Sequence, residues 1–191
     1  MWSEMVKLTP LAVSVLALLV EKPMHPYEMY NLLIGRHEDR IVKVRPGSLY
    51  HTVERLAGQE LVQATGTERA GNRPERTTYT ITAAGRAALR DRVTEMLATR
   101  VEEFPEFPLA ISEAHNLGAA EVVELLSSRI AELDAGVAEI DGLVELARNR
   151  GVAEAYWLAA DYLRAIGTAE RDWIARLIER ISSEELSWPT K

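Results

Sequence analysis

Ser48, His51, Thr52 and Arg55 stand close together in the stretch Arg45-Pro46-Gly47-Ser48-Leu49-Tyr50-His51-Thr52-Val53-Glu54-Arg55-Leu56. A hydroxyl donates and accepts, an imidazole does either, and a guanidinium presents a rigid fork of donors. Such groups suit hydrogen bonding to the base edges of a DNA major groove. At about 100° per residue, Leu49, Val53 and Leu56 fall on one apolar stripe of a helix and the four polar residues on the other side. Tyr50 lies on the flank, better placed for phosphate than for bases. One face packs, and the other is free to read.

The neighbouring elements are those that hold a reading helix. Thr9-Pro10 opens a helix over Leu11 to Glu21 that is apolar nearly all round, and Pro26 opens a shorter one with Tyr27, Tyr30, Leu33 and Ile34 at helical spacing. Pro46 starts the third helix, and Gly58 with Gln59 and Glu60 marks its end. Leu61 to Thr65 and Thr77 to Thr82 are rich in β-formers, and the turn between them holds Arg69 and Arg73, with Arg76 at its edge. Three helices and a basic hairpin, in that order, spell a winged helix-turn-helix. The hairpin arginines suit backbone phosphates.

The formal net charge of −7 hides a division. Residues 1 to 92 carry 13 Lys and Arg against 10 Asp and Glu, whereas residues 93 to 191 carry 9 against 19. The acidic second half repels phosphate, so the first half is the only plausible DNA face. The chain has no cysteine, which excludes disulfides and thiolate metal sites and fits an intracellular, cytoplasmic protein. The apolar run Leu11 to Val20 is too short to span a bilayer and reads as a core helix, not as a signal peptide, so no membrane is expected. His25, His37, His51 and His115 are scattered, and His37-Glu38-Asp39 reads as a charged loop. No metal, cofactor or enzyme activity is expected.

A helix from Thr82 runs toward Val101 and is interrupted at Phe104-Pro105-Glu106-Phe107-Pro108. The expected division is a winged-helix domain at 1–92, a linker and connecting helix at 93–118, and a helical domain at 119–191. In the last, Leu126, Ile130, Leu133, Val137, Ile140, Val144 and Ala147 form one stripe, and Leu163, Ile166, Ala169, Trp173, Leu177 and Ile181 another. An average step of about 3.5 residues indicates coiled-coil-like packing, and the loop Asn149-Arg150-Gly151 makes the pair antiparallel. Two helices cover such stripes poorly, so a second copy is expected to complete a bundle. Phe104, Phe107, Trp157 and Trp173 are either interface core or the lining of a pocket for a small aromatic or hydrophobic effector.

The first half resembles the PadR family of bacterial transcriptional regulators, and the length with its helical tail resembles the longer subgroup. The resemblance rests on Leu11 to Leu19, on His25-Pro26-Tyr27-Glu28-Met29, on Pro46-Gly47-Ser48-Leu49-Tyr50 with Arg55-Leu56, and on Thr78-Tyr79-Thr80-Ile81-Thr82 with Gly85. Together these span roughly residues 8 to 90. Pro26 stands where the family commonly has glycine, and His51 where it often has proline. The resemblance implies a dimeric repressor on an inverted-repeat operator, often released by a small molecule. It places Ser48, Tyr50, His51 and Arg55 on the recognition helix and Tyr27 near the phosphate backbone. Arg45, at the head of that helix, joins the expected DNA contacts. The competing expectation is a winged-helix protein-interaction module that binds no DNA.

Overall fold

A computed structural model describes residues 8–68 and 76–189. The chain divides into two compact units, Met1–Glu102 and Glu103–Lys191. It is mainly helical, with one two-stranded antiparallel sheet among the described residues.

In the first unit, Thr9 caps α1 (Pro10–Glu21): its Oγ1 accepts the Ala12 N–H at 3.3 Å, and Pro10 takes a position where no amide hydrogen is needed. Leu11, Ala12, Val15, Leu16, Leu18 and Leu19 are buried, so α1 runs through the middle of this core. His25 caps α2 (Pro26–Gly35). Its Nδ1 accepts the Tyr27 N–H, and the Glu28 carboxylate accepts the His25 N–H in return. The third helix, α3 (Pro46–Gly58), packs on α1 and α2. It ends as expected at Gly58, and Glu60, at a left-handed φ of 59°, turns the chain toward the sheet.

The expected hairpin is β1 (Val62–Glu68) and β2 (Arg76–Ile81), with Val62 opposite Ile81 and Ala64 opposite Tyr79. Thr65 is an extra residue before Gly66 pairs with Thr78, a bulge that increases local twist. Met24, between α1 and α2, exchanges two backbone hydrogen bonds of 3.0 Å with Tyr79 and so adds a rung to the sheet. Thr82 then caps α4 (Ala83–Ala98), accepting the Gly85 N–H at 3.0 Å while its hydroxyl donates to the Glu60 carbonyl at 2.9 Å. A Cβ on Gly85 would run into the Leu61 carbonyl oxygen, so only glycine lets α4 start this close to the sheet.

The second unit holds α5 (Glu106–Glu113), α6 (Ala119–Asn149) and α7 (Leu158–Ser182). Gly151, at a φ of 68°, begins the turn that makes α6 and α7 antiparallel neighbours. Val122, Leu126, Ile174 and Ile181 are the buried centre, with Phe107, Ile111, Leu177 and Trp188 packed around it. Three ion pairs bridge the helices: Asp141 with Arg164 at 3.1 Å, Asp134 with Arg171 at 3.1 Å, and Glu170 with Arg129 at 2.7 Å. They fix the register of the pair, and no apolar spacing announced them.

On α7, Ile181 of the expected stripe is buried together with Ile174 from outside it, whereas Ile166 and Trp173 lie half open. Gly167 accounts for the turn of the helix, because a Cβ there would meet Val137 at 3.3 Å. The smallest side chain of α7 faces α6, and the larger Ile166 and Trp173 are carried aside. Leu126 and Ile140 are buried within the chain itself, which leaves them little surface for a second copy. Ile130, Leu133, Val137, Leu163 and Leu177 are half-buried. Among the described residues, no helix is long and apolar enough to cross a membrane, and no cluster of His, Asp or Glu is suited to hold a metal.

Candidate nucleic-acid interface

The candidate interface is the outer side of α3. Leu49, Val53 and Leu56 are at most 1% exposed, which anchors the helix and fixes which residues face away. Arg45, Ser48, Tyr50, His51 and Arg55 are all exposed, and Gly47 adds no side chain that would hold a partner off. Proline at the first helical position and the absence of a side-chain cap leave amide hydrogens at the start of α3 able to meet an anion.

Thr52 is a correction. Its wheel position suggested the outer face, yet it is only 7% exposed, and its hydroxyl donates to the Ser48 carbonyl at 2.8 Å. Thr52 sits about 40° from Leu56 on the wheel, inside the broad arc that a globular core covers. Because α1 and α2 both pack on α3, the buried face is wider than a three-residue stripe indicates. Thr52 therefore has no reach toward a base.

Arg55 is exposed but engaged: its Nη2 donates to Thr9 Oγ1 at 3.1 Å. His51 is wide open, its side chain 85% exposed, with Nδ1 3.4 Å from Glu54 Oε2. Glu54 is an anion on the outer side of α3 that the expectation passed over, although its spacing of three from His51 signalled the contact. Tyr50 packs edge-on to His25, ring centres 6.1 Å apart. This contact joins the flank of α3 to the cap of α2, where Tyr27 stands open beside it in sequence. His25 thus matters as cap and as ring partner, roles that its isolated place in the sequence did not suggest.

The connection into α3 is also ordered. Arg36 holds the Glu21 carboxylate with two hydrogen bonds, of 2.6 and 2.8 Å, tying the ends of α2 and α1 together. That hydrogen bonding keeps the Glu21 carboxyl below its ordinary pKa, while burial pushes Glu38 above its own. Lys43 and Arg45 follow, both exposed, as a basic approach to the helix. Of the hairpin arginines, Arg69 and Arg73 lie outside the described residues, and Arg76 opens β2 with only its backbone described.

In the second unit, the residues expected to be interface core or effector-pocket lining meet only in part within one chain. Phe104 is 90% exposed. Phe107 meets Trp173 edge-on at 6.4 Å, under the Arg129 guanidinium, which lies 3.9 Å from the Phe107 ring centre. Trp157 lies at the other end of α7, about 24 Å away at about 1.5 Å per residue, with Arg148 over its ring. A shallow open depression of about 530 Å³ between α6 and α7, lined by Val137, Asp141, Arg164 and Thr168 among others, contains none of the four.

Residues 15–91 match the model of the transcriptional regulator PadR-like family. Comparison with curated proteins gives no match. Among solved structures, the chain is similar to Bacillus subtilis PadR in complex with operator DNA, with a TM-score of 0.73 and 16% identity over 91% of this chain and 98% of that one. The same protein in complex with p-coumaric acid gives a TM-score of 0.71 and 15% identity, over 92% and 98%. A PadR-like transcriptional regulator from Bacillus cereus gives 0.66 and 18%, over 91% and 99%. At such identities the structures show a shared fold, and it extends through the helical second unit. The helix and hairpin order, the motifs that carry α2 and α3, and the match across residues 15–91 agree: the first unit matches the PadR-like family of transcriptional regulators, and the chain as a whole is similar in fold to solved PadR structures.

Proposed function

We propose that the chain is a sequence-specific, homodimeric repressor that reads an inverted-repeat operator with α3 and is released by a small aromatic or hydrophobic effector. The observation that carries the reading is the division of α3 between a fully buried stripe and an open face holding Ser48 and His51, with Arg45 at its head. Ser48 and His51 read base edges, and Arg45, Tyr27 and Tyr50 meet phosphates, joined by the hairpin arginines Arg69, Arg73 and Arg76. In this reading residues 1–92 are the DNA-binding domain, 93–118 the connection and 119–191 the dimerisation domain.

Dimerisation is assigned to the faces of α6 and α7 that the chain leaves uncovered, among them Ile166 and Trp173. Two recognition helices held roughly 34 Å apart match successive turns of the groove, and an effector that favours another separation lowers operator affinity. That Bacillus subtilis PadR has been captured with operator DNA and with p-coumaric acid supports both halves of this reading. Selection of duplexes from a random-sequence pool tests it. Enrichment of a two-fold-related site bound by a dimer is expected. A folded chain that enriches no sequence overturns the reading and favours a protein-interaction module.

A further inference from the structure

An exposed arginine on a reading helix invites assignment to a base edge, and Arg55 is such a residue. Its geometry points elsewhere. The Arg55 guanidinium crosses to a residue 46 positions away in the chain and donates through Nη2 to Thr9 Oγ1 at 3.1 Å. The same oxygen accepts the Ala12 N–H and caps α1. One hydroxyl therefore joins the first turn of α1 to the last turn of α3.

We propose that Arg55 is a positioning residue, which sets the rotation and tilt of α3 on α1 and does not itself choose a base. The inference rests on the DNA-reading function proposed above. Apolar packing between the helices, through residues such as Leu49, Val53 and Leu56, supplies attraction without direction. A hydrogen bond supplies direction, because it weakens steeply once its angle opens. The bond lies at the opposite end of α3 from Ser48, so a small rotation there sweeps Ser48 and His51 across the groove. Arg55 works as the stop that prevents it. A guanidinium already bound to its own fold is also held back from the rotamers needed to enter a groove. Thr9 lies in a segment whose only legible role in the sequence was a helix cap, and nothing in its spacing links it to the reading helix.

A double-mutant cycle on the full-length chain tests the inference, with a duplex selected from a random pool and an unselected duplex of equal length as probes. Arg55→Met is expected to weaken binding of the selected duplex about fivefold, the size of one ordinary hydrogen bond. Thr9→Gly, which keeps an acceptable helix cap but lacks the oxygen, is expected to do the same. The double variant is expected to be no weaker than either single one, and Thr9→Ser, which restores an oxygen, to bind as the parent does. Thermal unfolding of each variant separates lost binding from lost fold, and Thr9→Val serves as a second oxygen-free variant. Additive losses, or an Arg55→Met loss undiminished in the Thr9→Gly background, overturn the inference and make Arg55 a direct DNA contact. A parent chain that shows no preference for any selected duplex overturns the DNA reading beneath it, an outcome visible before any variant is made.

Discussion

The Thr52 hydroxyl donates to the Ser48 carbonyl at 2.8 Å, one turn back along α3, and so serves the helix that displays Ser48 instead of joining it at the surface. Thr52→Val should therefore leave DNA affinity unchanged. Stability should move by no more than about 1 kcal/mol, since the bond lost is local and the added methyl stays buried. A folded Thr52→Val chain with weakened, sequence-dependent binding would return Thr52 to the reading face.

Arg45→Ala should weaken binding to all duplexes alike and flatten the slope of log affinity against log salt by about one unit, the signature of one lost phosphate contact. Fluorescence anisotropy across a salt series reads this directly. A changed sequence preference with an unchanged slope would make Arg45 a base reader.

Trp173→Ala should raise the dimer dissociation constant about thirtyfold, the effect of truncating a central aromatic anchor worth about 2 kcal/mol. Sedimentation equilibrium measures it. Dimerisation left intact, with only the response to added aromatic acids altered, would assign Trp173 to ligand binding.

Gly85→Ala should destabilise the first unit by about 2–3 kcal/mol, because the new methyl meets the Leu61 carbonyl and the Ile81 side chain with no flexible neighbour to yield. Chemical denaturation would show a lowered midpoint. An unchanged midpoint would mean that α4 can slide along the sheet without loss.

Glu38 offers a pH test. Burial raises its carboxyl pKa in the fold, so the neutral form is favoured there. Its contribution to stability is complete below the ordinary carboxylate pKa and is lost as pH rises through the folded value. Glu38→Gln should change little at about pH 4 and stabilise at about pH 7. Glu21 runs the other way: the Arg36 hydrogen bonds lower its pKa, and that stabilisation is lost as pH falls. Denaturant midpoints for Glu38→Gln that shift equally at both pH values would refute the assignment.

The helices of the first unit were legible because proline, threonine and glycine punctuate them and because the core of α1 is apolar on every side. The reading helix was legible by its stripe, but the width of its buried face was not, since that depends on which neighbours pack there, and Thr52 was misplaced for that reason. In the second unit, counting apolar residues set the two helices and their turn correctly and their rotation only in part. Gly167 and the pairs Asp141–Arg164, Asp134–Arg171 and Glu170–Arg129 decide that rotation, and hydrophobic spacing carries no information about glycine or about charges across a helix pair. The Arg55 to Thr9 bond was out of reach, because nothing local in a sequence announces a contact across 46 residues.

The ion pairs between α6 and α7 also suggest an order of assembly. Asp141 and Arg164 are 23 residues apart, Asp134 and Arg171 37, and Arg129 and Glu170 41, so the helical hairpin can zip outward from the Gly151 turn, each closure shortened by the one before it. The Met24 rung on Tyr79 has no such staircase: its two residues stand 55 positions apart, and α2, α3 and β1 between them must be arranged before its two hydrogen bonds can form. Loop closure of that kind slows folding, whereas successive local closures speed it. On a ribosome the first unit emerges first, yet the second unit, emerging last, is built to finish quickly, and stopped-flow refolding of the full chain should separate a fast helical phase from a slower one that ends when Met24 joins the sheet.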